Sequence, residues 1–196
     1  YGHADMENLP RLIAVWGSNI NQTEGPHSRE GLRAALKDGA RLIVIDPKKT
    51  DVAGKADLWI RPRPGSDGAL AMGLLKVIID EKLYDENFVS KQTIGFDDLR
   101  DEVKKFSLQD VARVTWVPRE QIERLARMFT QNKPAFIRMG KVFSHGVNSL
   151  LAVRAVCILS AITGPPNIPG GGLALKQANW TRPGRLMLLS SFPRKA

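Results

Sequence analysis

Two runs of apolar residues without polar alternation constrain this chain most. "LIAVW" (12–16) and "RLIVI" (41–45) are short, rich in β-branched side chains and too uniformly apolar to leave one face in water. Strands of that kind are buried on both faces, as in a parallel sheet layered between helices. Between them, "REGLRAALKDG" carries Leu32, Ala35 and Leu36 at helical spacing and ends on Gly39 as C-cap. Strand, polar loop, helix and strand fit within about 35 residues, the length of a crossover unit joining parallel strands.

The rest of the chain continues the pattern. A short third strand is predicted near Leu58–Ile60, followed by a proline-rich exit and a helix over about 68–81 capped by Ser66 or Asp67. "DENFVSKQT", "FDDLRDEVKKF" and "SLQDVARVT" are short helices, and Pro118 opens a helix with Ile122, Leu125, Ala126 and Phe129 on one face. "PAFIRMG" (134–140) is a further strand, "KVFSHGVN" a loop and "SLLAVRAVCILSAITG" a nearly all-apolar helix. That composition predicts a buried helix, with Leu151, Val156, Leu159 and Ile162 in the core. "PPNIPGGG" (165–172) is expected to end the regular structure. The order predicts an α/β fold, a parallel sheet flanked by helices in the manner of dinucleotide-binding domains. Residues 1–175 are expected to form one such domain, and 176–196 a basic, irregular tail. Both ends look cut, as in a fragment of a larger enzyme.

Charge and cysteine content narrow the function classes. The net charge of +9 is uneven: Lys176, Arg182, Arg185, Arg194 and Lys195 are unopposed by acids, whereas residues 80–110 carry nine acids against five bases. A basic chain can meet nucleic acid, but here the bases are not interleaved with aromatics, and Trp16 and Trp59 sit in strand positions typical of a core. The one cysteine, Cys157, lies in the apolar helix and reads as a buried core thiol. No Cys/His cluster has metal-ligand spacing. No apolar run is long enough to span a bilayer, and no signal peptide opens this stretch, so the cytoplasm is the default expectation.

The chemistry concentrates where strands end. Gly17-Ser18-Asn19, Asp46-Pro47-Lys48-Lys49-Thr50 and Pro64-Gly65-Ser66-Asp67 each follow a strand. In a parallel sheet all three emerge on one edge, the edge where ligands bind. Gly17 allows close backbone approach. Ser18, Asn19 and Thr50 offer hydrogen bonds, and Lys48 offers a point charge for phosphate. Oriented N–H groups at a helix start near Asp67 add to this. Asp46 stands where dinucleotide folds place a ribose-binding carboxylate. Yet a single glycine follows the first strand where G-x-G-x-x-G marks nicotinamide enzymes, and Asp46 lies farther than about 20 residues from that turn. From these residues, the reading is a nucleotide-binding α/β domain with an unusual cofactor. An ordinary nicotinamide or flavin nucleotide domain is the first alternative, and a basic nucleic-acid-binding module the second.

The ordered combination of V-I-D-P-x-x-T, R-P-G-S-D-x-A-L and T-G…P-G-G-G, spread over about residues 9–172, resembles the internal α/β domain of the molybdopterin oxidoreductases, the dimethyl sulfoxide reductase and formate dehydrogenase group. The resemblance implies binding of the guanosine-diphosphate arm of a molybdopterin guanine dinucleotide, two of which hold molybdenum or tungsten. It puts Gly17, Ser18, Asn19 and Gln22 against the dinucleotide. Asp46, Pro47, Lys48 and Thr50 would border its ribose and diphosphate, Gly65 and Asp67 its guanine, and the loop after Gly140 would face the pterin. Lys48 stands where the family often has arginine, so a forked phosphate contact becomes a point charge. The family's [4Fe-4S] cysteine motif and metal-ligating residue would lie upstream, and a barrel domain downstream, leaving this stretch to bind rather than turn over. The implied partners are the remaining domains of the same polypeptide and an electron-transfer subunit.

Overall fold

The computed structural model describes residues 7–146, 148–165 and 168–175; the expected basic tail lies outside them. Five strands, β1 (Leu12–Trp16), β2 (Arg41–Ile45), β3 (Leu58–Ile60), β4 (Ala135–Met139) and β5 (Gly172–Leu175), form one sheet in the order β3-β2-β1-β4-β5. Every neighbouring pair is parallel. The register puts Trp16 opposite both Ile45 and Met139, and Ile45 opposite Ile60. The chain therefore leaves β1, β2, β3 and β4 at one level, with Gly17, Asp46, Arg61 and Gly140 as the first residues out. β5 corrects the expectation that regular structure ends at the proline–glycine segment. Four residues carry little strand signal of their own, and their pairing partner, β4, is distant in sequence.

The absence of alternation in β1 and β2 has the cause anticipated for it: both faces are covered. Leu12, Ala14, Trp16, Ile43 and Ile45 pack toward α3 (Asp67–Asp80), α7 (Arg119–Gln131) and α9 (Ser149–Ile162). Ile13, Val15, Leu42 and Val44 join Leu32 and Ala35 of α2 (Pro26–Lys37) on the other face. α2 starts at Pro26 rather than Arg29, because a proline at the first helical position gives up no needed N–H.

The three short helices appear as α4 (Glu86–Gln92), α5 (Phe96–Lys104) and α6 (Leu108–Thr115). The two polar loops are also partly helical, as α1 (Ile20–Thr23) and α8 (Val142–His145).

Helix α9 departs from its expectation. Ala152, Ala155, Val156, Leu159 and Ile162 are buried, forming one stripe against the domain. Leu151, expected in the core, is 64% exposed, Leu150 is 81% exposed and Cys157 is exposed. The helix lies on the surface of the domain, so its composition is apolar all round while only one side has a neighbour. Residues of its outer side line a groove of about 1360 Å³ that also takes in Gly65 and Asp67 at the start of α3, Ile94 and Phe96 at the start of α5, and Val142 of α8.

Candidate functional site at the strand ends

β1 has β2 on one side and β4 on the other, so the connections from the sheet's centre run in opposite directions. In open parallel sheets such a switch point is where ligands bind, at the carboxyl edge. Here two strand-end backbones meet. Gly17 donates its N–H to the Ile45 carbonyl and Gly140 donates to the Trp16 carbonyl, each at 2.8 Å. A Cβ on Gly140 would lie 1.7 Å from the Gly17 carbonyl oxygen, and one on Gly17 would lie 2.4 Å from Val142 Cγ1. Gly17 also has φ +62°, a conformation other residues adopt at a cost. The two glycines thus let the backbones after β1 and β4 pack directly on one another, with Val142 filling the space beside Gly17.

The loop beyond Gly17 is tightly folded. The Asn19 carbonyl accepts the N–H groups of Gln22 (3.1 Å) and Thr23 (2.8 Å), and the Thr23 hydroxyl at 2.8 Å. Ser18 is buried, and its hydroxyl donates to Glu24 Oε1 at 3.3 Å. Asn19 behaves differently: its side-chain oxygen Oδ1 is enclosed and has no hydrogen-bond partner among the described residues. An enclosed acceptor left unmet costs about 1–3 kcal/mol. An N–H or O–H supplied from outside the protein would remove that cost. Gln22 is exposed.

Beyond β2, Asp46 folds its own turn by accepting the Lys48 N–H at Oδ1, 2.8 Å away. Its carbonyl accepts Trp59 Nε1–H at 2.9 Å, and the Lys49 ammonium lies 5.7 Å from the Trp59 ring centroid. Partial burial raises the Asp46 pKa, against the opposing pull of the Lys48 N–H and charge. Pro47 and Lys48 are exposed. Thr50 is buried, and its hydroxyl accepts the Ala53 N–H at 3.2 Å, closing a short 3₁₀ turn.

Neither Ser66 nor Asp67 caps α3 with its side chain, contrary to expectation. The Ser66 hydroxyl donates to the Arg63 carbonyl at 2.7 Å. Asp67, the first residue of α3, accepts the Trp16 indole N–H at Oδ1, 2.8 Å away, which ties the last residue of β1 to this carboxylate. Asp67 is buried. Desolvation raises its pKa, the Trp16 bond and its own backbone amide work against this, and the charge of Asp46 adds to the rise. The two aspartates therefore lie within one another's field. Gly65, at φ +82°, is exposed beside Asp67 on the groove.

The structure thus gathers Gly17, Asn19, Gly140 and Asp67 about the switch point, with Gly65 on the adjoining groove and Asp46 and exposed Lys48 beyond β2. It turns the Ser18 and Thr50 hydroxyls toward protein partners. Sequence reasoning missed an ion pair beneath the loop, Arg138 Nη2 to Glu24 Oε2 at 2.6 Å, with both side chains almost fully buried. The signal was present: Glu24 is the one acid in residues 17–28, and Arg138 the one charge in "AFIRM".

The family model for molybdopterin oxidoreductases matches residues 4–191. The chain belongs to the molybdopterin oxidoreductase family. It is 40% identical to an acetylene hydratase of Syntrophotalea acetylenica over 84% of its length and 22% of that relative. It is 38% identical to the probable oxidoreductase YoaE of Bacillus subtilis, covering 83% of this chain and 24% of that one. With the dimethyl sulfoxide reductase DmsA of Escherichia coli it shares 32% identity, over 92% of this chain and 25% of that one. Among solved structures, acetylene hydratase from Pelobacter acetylenicus superposes with a TM-score of 0.80 at 37% identity, over 88% of this chain and 23% of that one. The chain therefore spans about a quarter of these relatives. Membership of this molybdopterin oxidoreductase family, the dimethyl sulfoxide reductase group, implies a molybdenum or tungsten pterin cofactor. The donor set at the switch point fits such a group: Asn19 Oδ1 is an enclosed acceptor that no described residue meets, and the Asp67 carboxylate lies beside it at the end of β1.

Proposed function

We propose that this molybdopterin oxidoreductase domain binds the guanosine-diphosphate arm of a molybdopterin guanine dinucleotide, as one domain of a molybdenum- or tungsten-dependent oxidoreductase. The observation that carries the reading is the enclosed Asn19 Oδ1, which no described residue meets, at the switch point beside the buried Asp67 carboxylate. Gly17 and Gly140, packed backbone against backbone, set the position of the loop that carries Ser18, Asn19 and Gln22 and of the loop after β4. Ser18 contributes its backbone, since its hydroxyl is engaged by Glu24. Asn19 and Gln22 supply hydrogen bonds, Asn19 through the oxygen that no described residue meets. Asp46, Pro47, Lys48 and Thr50 border the ribose and diphosphate, with the Lys48 ammonium as a point charge. Gly65 leaves room for the base, and Asp67 accepts hydrogen bonds from its edge. The bound metal would supply the redox chemistry. The chain's own residues bind, orient and screen the nucleotide arm.

The remaining domains of the same polypeptide are the proposed partners, carrying the [4Fe-4S] cluster and the metal ligand, with an electron-transfer subunit beyond them. In support, the outer side of α9 and the groove beside it leave Ile94, Val142 and Leu151 exposed on one face. This stretch on its own is expected to show no turnover.

Base choice tests the reading. Guanine presents N1–H and an amino group side by side, and a carboxylate accepts both. Adenine presents an unprotonated N1 there. Such mismatches cost about 1–3 kcal/mol per unmet group, roughly a tenfold to hundredfold preference for GDP over ADP. Calorimetry with the two nucleotides should show that preference, and its collapse in Asp67→Ala. An equal ratio in wild type and variant would remove base selection from Asp67.

A further inference from the structure

Arg138 sits in β4, two residues before Gly140, and its charge is buried against Glu24 at 2.6 Å, with side chains 6% and 5% exposed. A buried ion pair adds little net stability over an apolar pair of similar volume, and it is best explained where it fixes a geometry. Here the geometry is specific. Glu24 closes the loop that begins at Gly17. Its Oε2 accepts from Arg138, while its Oε1 accepts the Ser18 hydroxyl at 3.3 Å. One carboxylate therefore fastens both ends of the loop, Ser18 and Glu24, to the strand that delivers Gly140 onto the Gly17 carbonyl. Between these fastenings stands Asn19, with its unmet oxygen. The loop is also held locally by α1 and by Arg29 Nη1, which donates to the Asn21 carbonyl at 3.3 Å.

We infer that Arg138 and Glu24 are positioning residues for the nucleotide-binding loop. They touch no ligand; through Ser18 they hold the Gly17–Asn19 backbone and the Asn19 side chain in the arrangement that receives the cofactor's ribose-diphosphate arm. This rests on the proposed function, and the two can fail separately.

The test uses the 196-residue chain and three measurements: urea midpoint, amide hydrogen exchange without ligand, and GDP affinity by calorimetry. The double variant Glu24→Leu/Arg138→Met replaces the pair by apolar groups. It should keep a midpoint near wild type, yet lose protection at residues 17–25 by at least tenfold relative to Ile13 and Val44, and lose GDP affinity by about tenfold or more. Arg138→Lys, which keeps the charge, should restore most of both. Wild-type protection and affinity in the double variant would overturn the inference. So would lost protection with unchanged affinity, since the pair would then be a structural tie alone. If the double variant does not fold, Ser18→Ala decides. It cuts only the hydroxyl link and should lower protection at 17–19 and GDP affinity severalfold at an unchanged midpoint; no change in either overturns the inference. If wild type binds no GDP, the proposed function fails, while the exchange data still decide whether the pair orders the loop.

Discussion

Lys133, just before β4, shows how far a side chain's chemistry depends on its surroundings. Its ammonium donates to Thr163 Oγ1 at 2.7 Å and lies 5.4 Å from the Phe129 ring centroid. Burial pushes its pKa down to about 8 from 10.5. Between those values the unfolded chain binds more protons than the folded one, so stability rises with pH across this window. Below about pH 8 both states are protonated and the folded state bears the full cost. The rise should amount to roughly 2–4 kcal/mol, at about 1.4 kcal/mol for each unit of displacement. Urea unfolding at pH 7 and pH 10.5 should show it in wild type and not in Lys133→Met. Equal slopes would mean that the ammonium is solvated. At this scale the sequence named Gly17, Asn19 and Asp67, because residue type limits what each can do. It did not foresee that Ser18 and Thr50 turn inward or that Cys157 is exposed, because facing direction depends on distant neighbours.

Among the elements, α9 separates composition from burial. Its buried stripe contains Leu159, fully enclosed, while Leu151 is 64% exposed. Leu159→Ala should cost about 2–5 kcal/mol through lost contacts and the cavity left behind. Leu151→Ala should change stability by less than about 0.5 kcal/mol, as surface substitutions do. Denaturant titration of both variants checks the pair, and similar costs would contradict the one-sided packing. Long periodic helices such as α7 were legible because their apolar spacing spans several turns. α1, α8 and β5 were not. Four residues hold too little pattern, and β5 exists by virtue of its pairing with β4.

At the scale of the whole molecule, the switch point joins residues more than a hundred positions apart, and its glycines leave no room for change. Gly140→Ala would drive a Cβ into the Gly17 carbonyl, a backbone atom that cannot swing aside. We expect a loss of about 1–3 kcal/mol or more from such overpacking, together with loss of GDP binding. Gly54→Ala is the control: a Cβ there meets nothing within 4 Å, so stability should stay within about 0.5 kcal/mol. Urea midpoints and GDP calorimetry on both variants make the comparison. A Gly140→Ala variant as stable as the control would show that the two backbones can part without cost.

Residue types and their spacing determined the parallel α/β class, the strands through β4, the helices α4–α7 and the polar loops that follow the strands. Those features follow from short-range rules: apolar period, proline and glycine at turns, polar residues past a strand. The tertiary structure decided that β1 and β4 lie side by side, that Gly140 rests on Gly17, that the Trp16 indole holds Asp67 and that Arg138 reaches Glu24. Each of these joins segments distant in the chain. Such contacts form only when the sheet orders its strands, because local sequence preferences act over a few residues and the strand order is settled by burying both sheet faces at once.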